Sequence, residues 1–233
     1  MGGCQSYSSS DEEDVNTLKA NHNNISLFKI KNNSLHMIVS AEVKPYLQDH
    51  ILSRHITDVD LLTLSAHPHG LDQQEWIATN TDDLVAQLHN RKMAKSGCKW
   101  QMHFMESCDI RGAPSLYEWT DEQGKKLKCS APLYIDYAMS YIQELLADER
   151  VFPTRAYSSF PPGFMFLIQK VFVMLFRTLA HLFSAHYQDA IVVELHPHLN
   201  TLFTHFITFS HTFRLLDPAE TAPIDDLIAR LTH

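Results

Sequence analysis

Histidine and cysteine are the residues of this sequence best suited to bind a metal ion. The segment from residue 180 to 186 carries His181 and His186, and a second segment carries His103 and Cys108, with Cys98 upstream. Positions five apart lie about 140° apart on an ideal helix, so the first pair alone could simply be two separate core histidines. Together the two segments could form a tetrahedral zinc site that pins a loop to a helix.

Carboxylates form a second candidate site. Asp72 can cap a helix that runs from Gln73 to about Leu88. The apolar spacing of this stretch leaves Glu75, Asp82 and Asp83 facing solvent. The net charge of −8 argues against binding of phosphate backbones and favours a basic partner. A solvated acidic helix face without a partner is the alternative interpretation.

The elements that would position these residues are mainly helices. The stretch 90–114 lacks periodicity and is predicted to be a long loop, which is typical of segments that are functional or held by something. A hairpin with a Gly-containing turn should follow, and the fold class is mostly α, a helical bundle. The predicted strands are Leu116–Thr120 and Lys125–Cys129, and the later helices start near Pro132, Phe164, Leu199 and Pro218.

The composition also limits the cellular setting. The N-terminus lacks the apolar core of a secretory signal, and four widely spaced cysteines indicate a reducing compartment. Phe164–Phe183 is interrupted by charged and polar residues, so we expect a buried core helix there and no membrane span. A cytoplasmic protein is therefore expected, with membrane-associated and nuclear pools as alternatives.

The first 34 residues are predicted to be a disordered tail, and residues 35–233 a single helical domain. The opening Met1-Gly2-Gly3-Cys4-Gln5-Ser6 fits N-myristoylation at Gly2, and palmitoylation of Cys4 would supply the second membrane signal. The alternative is an unmodified, Ser-rich acidic leader, because Asp11–Asp14 would be repelled by anionic lipid.

Several segments, in order, resemble the MOB family of kinase activators from about Lys44 to the C-terminus. Three further segments look most like the second MOB subfamily. The first group comprises Gln74–Thr81, Asp121–Pro132, Val151–Thr154, Leu179–His181 with His186, His198–Thr201 and His205–Phe206. The second comprises Lys44–Leu47, Ile56–Asp58 and Leu216–Pro218.

The resemblance implies a four-helix-bundle core with flanking helices, one short β-hairpin and a loop pinned by structural zinc. It implies His181, His186 and Cys108 as ligands. The remaining cysteine position is His103 here, so His103 ligates or the loop reroutes to Cys98, and a lost metal is the third option. Four protein ligands would leave no open position for an activated water, and no phosphate-binding glycine loop or nucleophile elbow is present. A non-enzymatic protein is therefore expected.

The resemblance further implies binding to the basic N-terminal region of an NDR/LATS-type Ser/Thr protein kinase, and its activation. One acid of the family pattern is Leu71 here. Of a basic cluster that binds phosphopeptides in some members, only Arg177 remains, which predicts weak or absent phosphopeptide binding. A scaffold that does not activate kinases and a metal-dependent hydrolase are the alternatives. The matching kinase-binding positions are Asp72, Glu75, Trp76, Asp83 and His205.

Overall fold

The computed structural model describes residues 5–6, 44–88, 117–120, 123–153 and 159–232. Within these ranges the protein is mostly helical, with one small sheet. The helices are α1 Asp49–Leu52, α2 Leu61–Ser65, α3 Gln73–Leu88, α4 Ala131–Ala147, α5 Phe164–Ala185, α6 Tyr187–Val192, α7 His196–Phe213, α8 Pro218–Thr221 and α9 Asp225–Leu231. The strands are β1 Gln5–Ser6, β2 Tyr117–Thr120 and β3 Lys126–Cys129, and 3₁₀ turns cover Pro45–Leu47 and Ala222–Ile224.

Four long helices, α3, α4, α5 and α7, surround the hydrophobic core. Helix α5 contacts α3 and α4, and α3 also contacts α7. Stacked rings join α5 to α7, with the centroid of Phe172 lying 5.1 Å from that of Phe206. Because α5 has buried residues on almost every turn, it is the central helix of the fold.

Helix α5 is also the most apolar element. By length and composition alone it could cross a membrane, but 72% of its most apolar window is buried inside the protein. Burial of this kind is typical of a core helix, as the interrupting Gln169, Lys170 and Arg177 predicted.

The predicted helix starts follow local rules. The Asp72 carboxylate accepts hydrogen bonds from the backbone N–H groups of Gln74 and Glu75 at 2.8 and 3.1 Å, so α3 begins at Gln73 as expected. Helix α4 has Pro132 in its first turn. Helix α7 begins at His196, three residues before the predicted start, because a proline is tolerated in the first turn of a helix.

The predicted hairpin is confirmed. Strands β2 and β3 pair antiparallel, with Trp119 opposite Leu127, and Gly124 in the turn has φ +78°, a conformation that glycine adopts without strain. The sheet has one strand more than predicted, because Gln5–Ser6 pairs with the other edge of β3. This short strand lies in the segment predicted to be a disordered tail; the rest of that tail, and the long loop 90–114, lie outside the described residues.

Three short helices, α1, α2 and α6, were not predicted. Each has at most six residues, too few for a readable apolar period, and tertiary contacts fix them in place. Asn200 of α7 shows how this works. Its buried side-chain amide donates to the carbonyls of Ile51, Leu52 and Arg54 at 3.0, 3.3 and 3.1 Å.

Candidate functional site

The two helix histidines lie side by side. His181 is on the last turn of α5, and His186 caps its C-terminus with φ −127°, outside helical geometry. The helix therefore ends before His186, and the 140° separation of an ideal helix does not apply. The two ring centroids are 5.0 Å apart. Two imidazoles on one tetrahedral zinc, with Zn–N distances of about 2.0 Å, would have centroids about 5 Å apart.

Each of these rings has a second polar neighbour. Nδ1 of His181 lies 3.2 Å from the Tyr117 hydroxyl, and Nδ1 of His186 lies 3.4 Å from the Asp189 carboxylate. Outer partners of this kind orient histidines that bind metals. Burial, and then the neighbouring His186, lower the pKa of His181 to about 4, which keeps its imidazole neutral, the form that coordinates a metal.

The structure thus places half of the predicted zinc ligands together. The other candidates, His103, Cys108 and Cys98, lie outside the described residues. Within the described ranges, no group of three or more His, Cys, Asp or Glu side chains is arranged to hold a metal ion. The two histidines fit a zinc ion by spacing, neutrality and outer partners, and a complete site needs donors from the segment 89–116.

The acidic residues occupy the exposed side of α3. Asp72, Glu75 and Asp83 are all exposed, and Asp82 is exposed beside Asp83. Trp76 is only partly exposed and packs against the core, and its role in kinase binding stays a prediction. The predicted acidic face is present in the structure as a set of solvated carboxylates.

His205 interacts electrostatically with the Asp83 carboxylate of this face. The side chain is buried on α7, burial lowers its pKa, and the Asp83 carboxylate opposes that shift. Nε2 of His205 and Nε1 of Trp76 are both buried, and neither has a hydrogen-bond partner among the residues that the structure describes. Unsatisfied buried polar groups are rare in native structures and are often found at functional sites.

A neighbouring apolar surface was not predicted from the sequence. Ile56, Val59 and Leu62 are 55%, 57% and 66% exposed, and Leu64 and Leu71 are also exposed. From the sequence alone, apolar residues such as these would be assigned to the core. Only the folded structure shows that they are exposed. We call the five residues the apolar strip. Exposed large apolar residues that are concentrated in one stretch of the chain, as here between residues 56 and 71, favour an interaction surface.

Helix α7 connects the apolar strip with the acidic face. The backbone N–H of Ile56 donates to the Thr201 hydroxyl at 3.0 Å, and α2 contacts α7. His205 lies one turn further along α7, where the Asp83 carboxylate acts on it. The two surfaces therefore border the same helix, and Leu71 of the strip directly precedes the cap residue Asp72.

Arg177 is engaged inside the protein. Its guanidinium donates to the Glu220 carboxylate at 3.1 Å, and both side chains are only 20% exposed. The neighbouring Val173 is partly buried and Met174 is buried. A single paired arginine does not form the multidentate anion site that phosphate recognition requires.

The remaining predicted positions, Gly2 and Cys4, lie outside the described residues. The geometry as a whole defines a class: a mostly helical protein with a buried histidine pair and an exposed surface, partly acidic and partly apolar, suited to binding another protein.

Comparison with known proteins identifies the family. The model of the Mob1/phocein family matches residues 53–224, and the chain belongs to that family. It is 40% identical to MOB kinase activator 2 of Mus musculus over 81% of this chain and 79% of that protein. The human MOB kinase activator 2 is 41% identical over 81% and 78%, and the maintenance of ploidy protein mob2 of Schizosaccharomyces pombe is 33% identical over 83% and 80%. Both the family and its second subfamily are thus confirmed.

Proposed function

We propose that this protein is a non-catalytic adaptor that binds the basic N-terminal regulatory region of an NDR/LATS-type Ser/Thr protein kinase and promotes its activation. The observation that carries the proposal is the exposed acidic face of α3 beside the apolar strip. Relatives named as MOB kinase activators support a kinase as the partner. A regulatory role without catalysis agrees with membership of this family.

The chemistry of the surface suggests the form of the partner. An amphipathic, Lys/Arg-rich helix can place apolar side chains on Ile56, Val59 and Leu62 and direct its cations toward Glu75 and the neighbouring carboxylates. The apolar contacts would supply most of the affinity, and the charges the orientation and the association rate. Binding would order the kinase extension and shift the kinase toward its active conformation.

The test is a titration of the purified full chain with the N-terminal extension of an NDR-type kinase. Glu75→Lys should weaken binding about tenfold or more, because it places a cation opposite a basic partner. Glu144→Lys is the matched control, since Glu144 is an exposed carboxylate on α4. Equal binding by both variants would refute the acidic face as the interface.

A second pair of variants tests the apolar strip. Leu62→Ser should weaken binding without loss of stability, because the side chain is already 66% exposed in the free protein. Phe166→Ser is the matched control, since Phe166 is 49% exposed on α5, outside the proposed surface. Binding unchanged in Leu62→Ser would restrict the interface to the carboxylates.

The alternative is a scaffold that assembles signalling proteins without activating a kinase. It predicts binding to the extension, or to no kinase at all, with unchanged phosphorylation rates in a kinase assay. A metal-dependent hydrolase would need an open coordination position on the metal and a nearby general base, so full protein coordination found by a spectroscopic probe of the bound metal would exclude it.

We also propose a structural zinc site in this fold. His181 and His186, together with Cys108 and either His103 or Cys98, would hold a structural zinc that pins the segment 89–116 against α5. The ion would supply folding energy and no chemistry. The four long helices would then form the four-helix-bundle core expected for the family.

Acylation of Gly2 and Cys4 is a proposal for the N-terminus, supported by the sequence motif alone. It would add a membrane-associated pool to a cytoplasmic protein. Metabolic labelling with a myristate analogue should label the wild-type chain and not Gly2→Ala.

A further inference from the structure

The histidine pair has two polar neighbours that the proposed kinase binding does not use. Tyr117 comes from β2 and Asp189 from α6, and their oxygens lie 3.2 and 3.4 Å from Nδ1 of His181 and His186, respectively. A neutral imidazole carries its proton on one of its two ring nitrogens, and the hydrogen bond made by one nitrogen determines which of them can coordinate a metal ion. A partner at Nδ1 therefore favours coordination through Nε2.

The two oxygens differ in what they can do at Nδ1. An ionised carboxylate only accepts hydrogen bonds, so Asp189 requires His186 to carry its proton on Nδ1. The Tyr117 hydroxyl can donate or accept, so it is compatible with a proton on Nδ1 of His181 without imposing one. Asp189 is therefore the stronger determinant of the geometry of the pair.

Both oxygens are held in place by contacts elsewhere in the fold. Tyr117 pairs with Cys129 across the hairpin, and its ring stacks on that of Tyr134 with the centroids 4.9 Å apart. Asp189 lies in the first turn of α6, where its carbonyl accepts from the backbone N–H of Val193 at 3.1 Å. Groups that are already in position lose little entropy when a ligand binds.

Burial strengthens the contact at His186. Its side chain is 2% exposed and that of Asp189 is 16% exposed, so water screens the interaction poorly. A carboxylate that accepts from the outer N–H of a histidine raises the basicity of that histidine as a metal ligand, and this arrangement recurs at zinc sites. The pair of His186 and Asp189 has the chemistry of such a site.

We propose that Asp189 and Tyr117 are positioning residues of the zinc site, which hold both histidines with the proton on Nδ1 so that both offer Nε2 to the ion. The inference rests on the structural zinc proposed for this fold, and it adds which atoms of the pair bind the ion and what sets its affinity. Asp189 supplies the larger part of the effect, through His186. Tyr117 joins the hairpin to the site, through His181.

The first test needs no variant. Long-range proton–nitrogen NMR correlations of the zinc-loaded full chain, with isotope-labelled histidine, identify the coordinating nitrogen of each ring. We expect coordination through Nε2 and a proton on Nδ1 at both His181 and His186. Coordination through Nδ1 at either ring would overturn the proposal.

The second test measures zinc affinity by competition with a chelator. Asp189→Ala should weaken zinc binding about tenfold to a hundredfold, and Asp189→Glu, which keeps the carboxylate, should recover part of that loss. Tyr117→Phe keeps the stacked ring and removes only the hydroxyl. It should weaken binding about threefold to tenfold, because a neutral hydrogen bond is roughly half as strong as a charge-assisted one. Asp225→Ala is the matched control, since Asp225 is an exposed carboxylate in the first turn of α9, and its affinity should equal that of the wild type.

The possible failures are distinguishable. Wild-type protein that binds no zinc would overturn the zinc site together with this inference. Wild-type protein that binds zinc, with equal affinity in Asp189→Ala and Asp225→Ala, would overturn this inference alone and leave the zinc site standing. Circular dichroism of each variant before zinc is added separates a loss of affinity from a loss of the helical fold.

Discussion

Asn200 offers the sharpest test of how this fold holds the apolar strip in place. The side chain is fully buried, its amide donates to the carbonyls of Ile51, Leu52 and Arg54, and its oxygen accepts from the Tyr187 hydroxyl at 2.8 Å. One side chain therefore ties the segment before the apolar strip to α7 and α6. We expect Asn200→Ala to loosen all of these elements together.

The size of the effect follows from these bonds. A net hydrogen bond contributes about 1 kcal/mol, and a buried group left without a partner costs about 1–3 kcal/mol. The amide has two hydrogens for three carbonyls, so two donated bonds and one accepted bond are lost. The expected destabilisation is about 3–4 kcal/mol, a large fraction of the roughly 5–15 kcal/mol of a typical domain.

Urea denaturation followed by circular dichroism measures this free energy of unfolding. Tyr187→Phe is the matched control, because it removes only the hydroxyl contact; it should cost about 1–2 kcal/mol, less than the loss of all three bonds. Hydrogen exchange in the Asn200→Ala variant should also speed up in α1 before any other element. A cost below about 1 kcal/mol for Asn200→Ala would refute the reasoning, because the carbonyls would then have found other partners.

Three further outcomes are expected. In chelator-treated protein, the free energy of unfolding should fall by up to about 3 kcal/mol as the pH drops from about 6.5 to 4. The reason is that the buried His181, with a pKa of about 4, binds fewer protons in the folded than in the unfolded state. A free energy of unfolding, measured with urea, that stays constant over this pH range would contradict this. Chelation itself should lower the melting temperature of the purified protein, and added zinc should restore it, if His181 and His186 belong to a structural zinc site. A phosphoserine peptide should bind weaker than micromolar by isothermal titration, because Arg177 is already paired with Glu220, and micromolar or tighter binding would oppose that inference.

Much of the local structure could be predicted from the sequence, because short-range chemistry determines it. Asp72 caps the N-terminus of α3, and Gly124 provides the positive φ that the hairpin turn needs. Helix α4 buries Ile135, Met139 and Ile142, which recur at helical spacing. These features depend on residues within a few positions of one another.

The histidine pair shows where sequence reasoning from ideal geometry fails. A spacing of five residues argued against His181 and His186 as a pair, because it assumed an unbroken helix. The helix ends at Ala185, and the changed backbone at His186 brings the two rings together. The sequence offers no helix-stop residue there, neither glycine nor proline, so the break depends on tertiary packing.

The exposure of the apolar strip could not be predicted for a different reason. Hydrophobic residues usually lie inside, so Ile56, Val59 and Leu62 read as core in any pattern analysis. Helix α2 has only five residues, of which Ser65 alone is buried, and it contacts α7. Exposure of that strip would be costly in a protein that works alone, whereas a partner helix would cover it. The apolar strip, rather than the charge of −8, therefore carries the stronger argument that this protein functions in a complex.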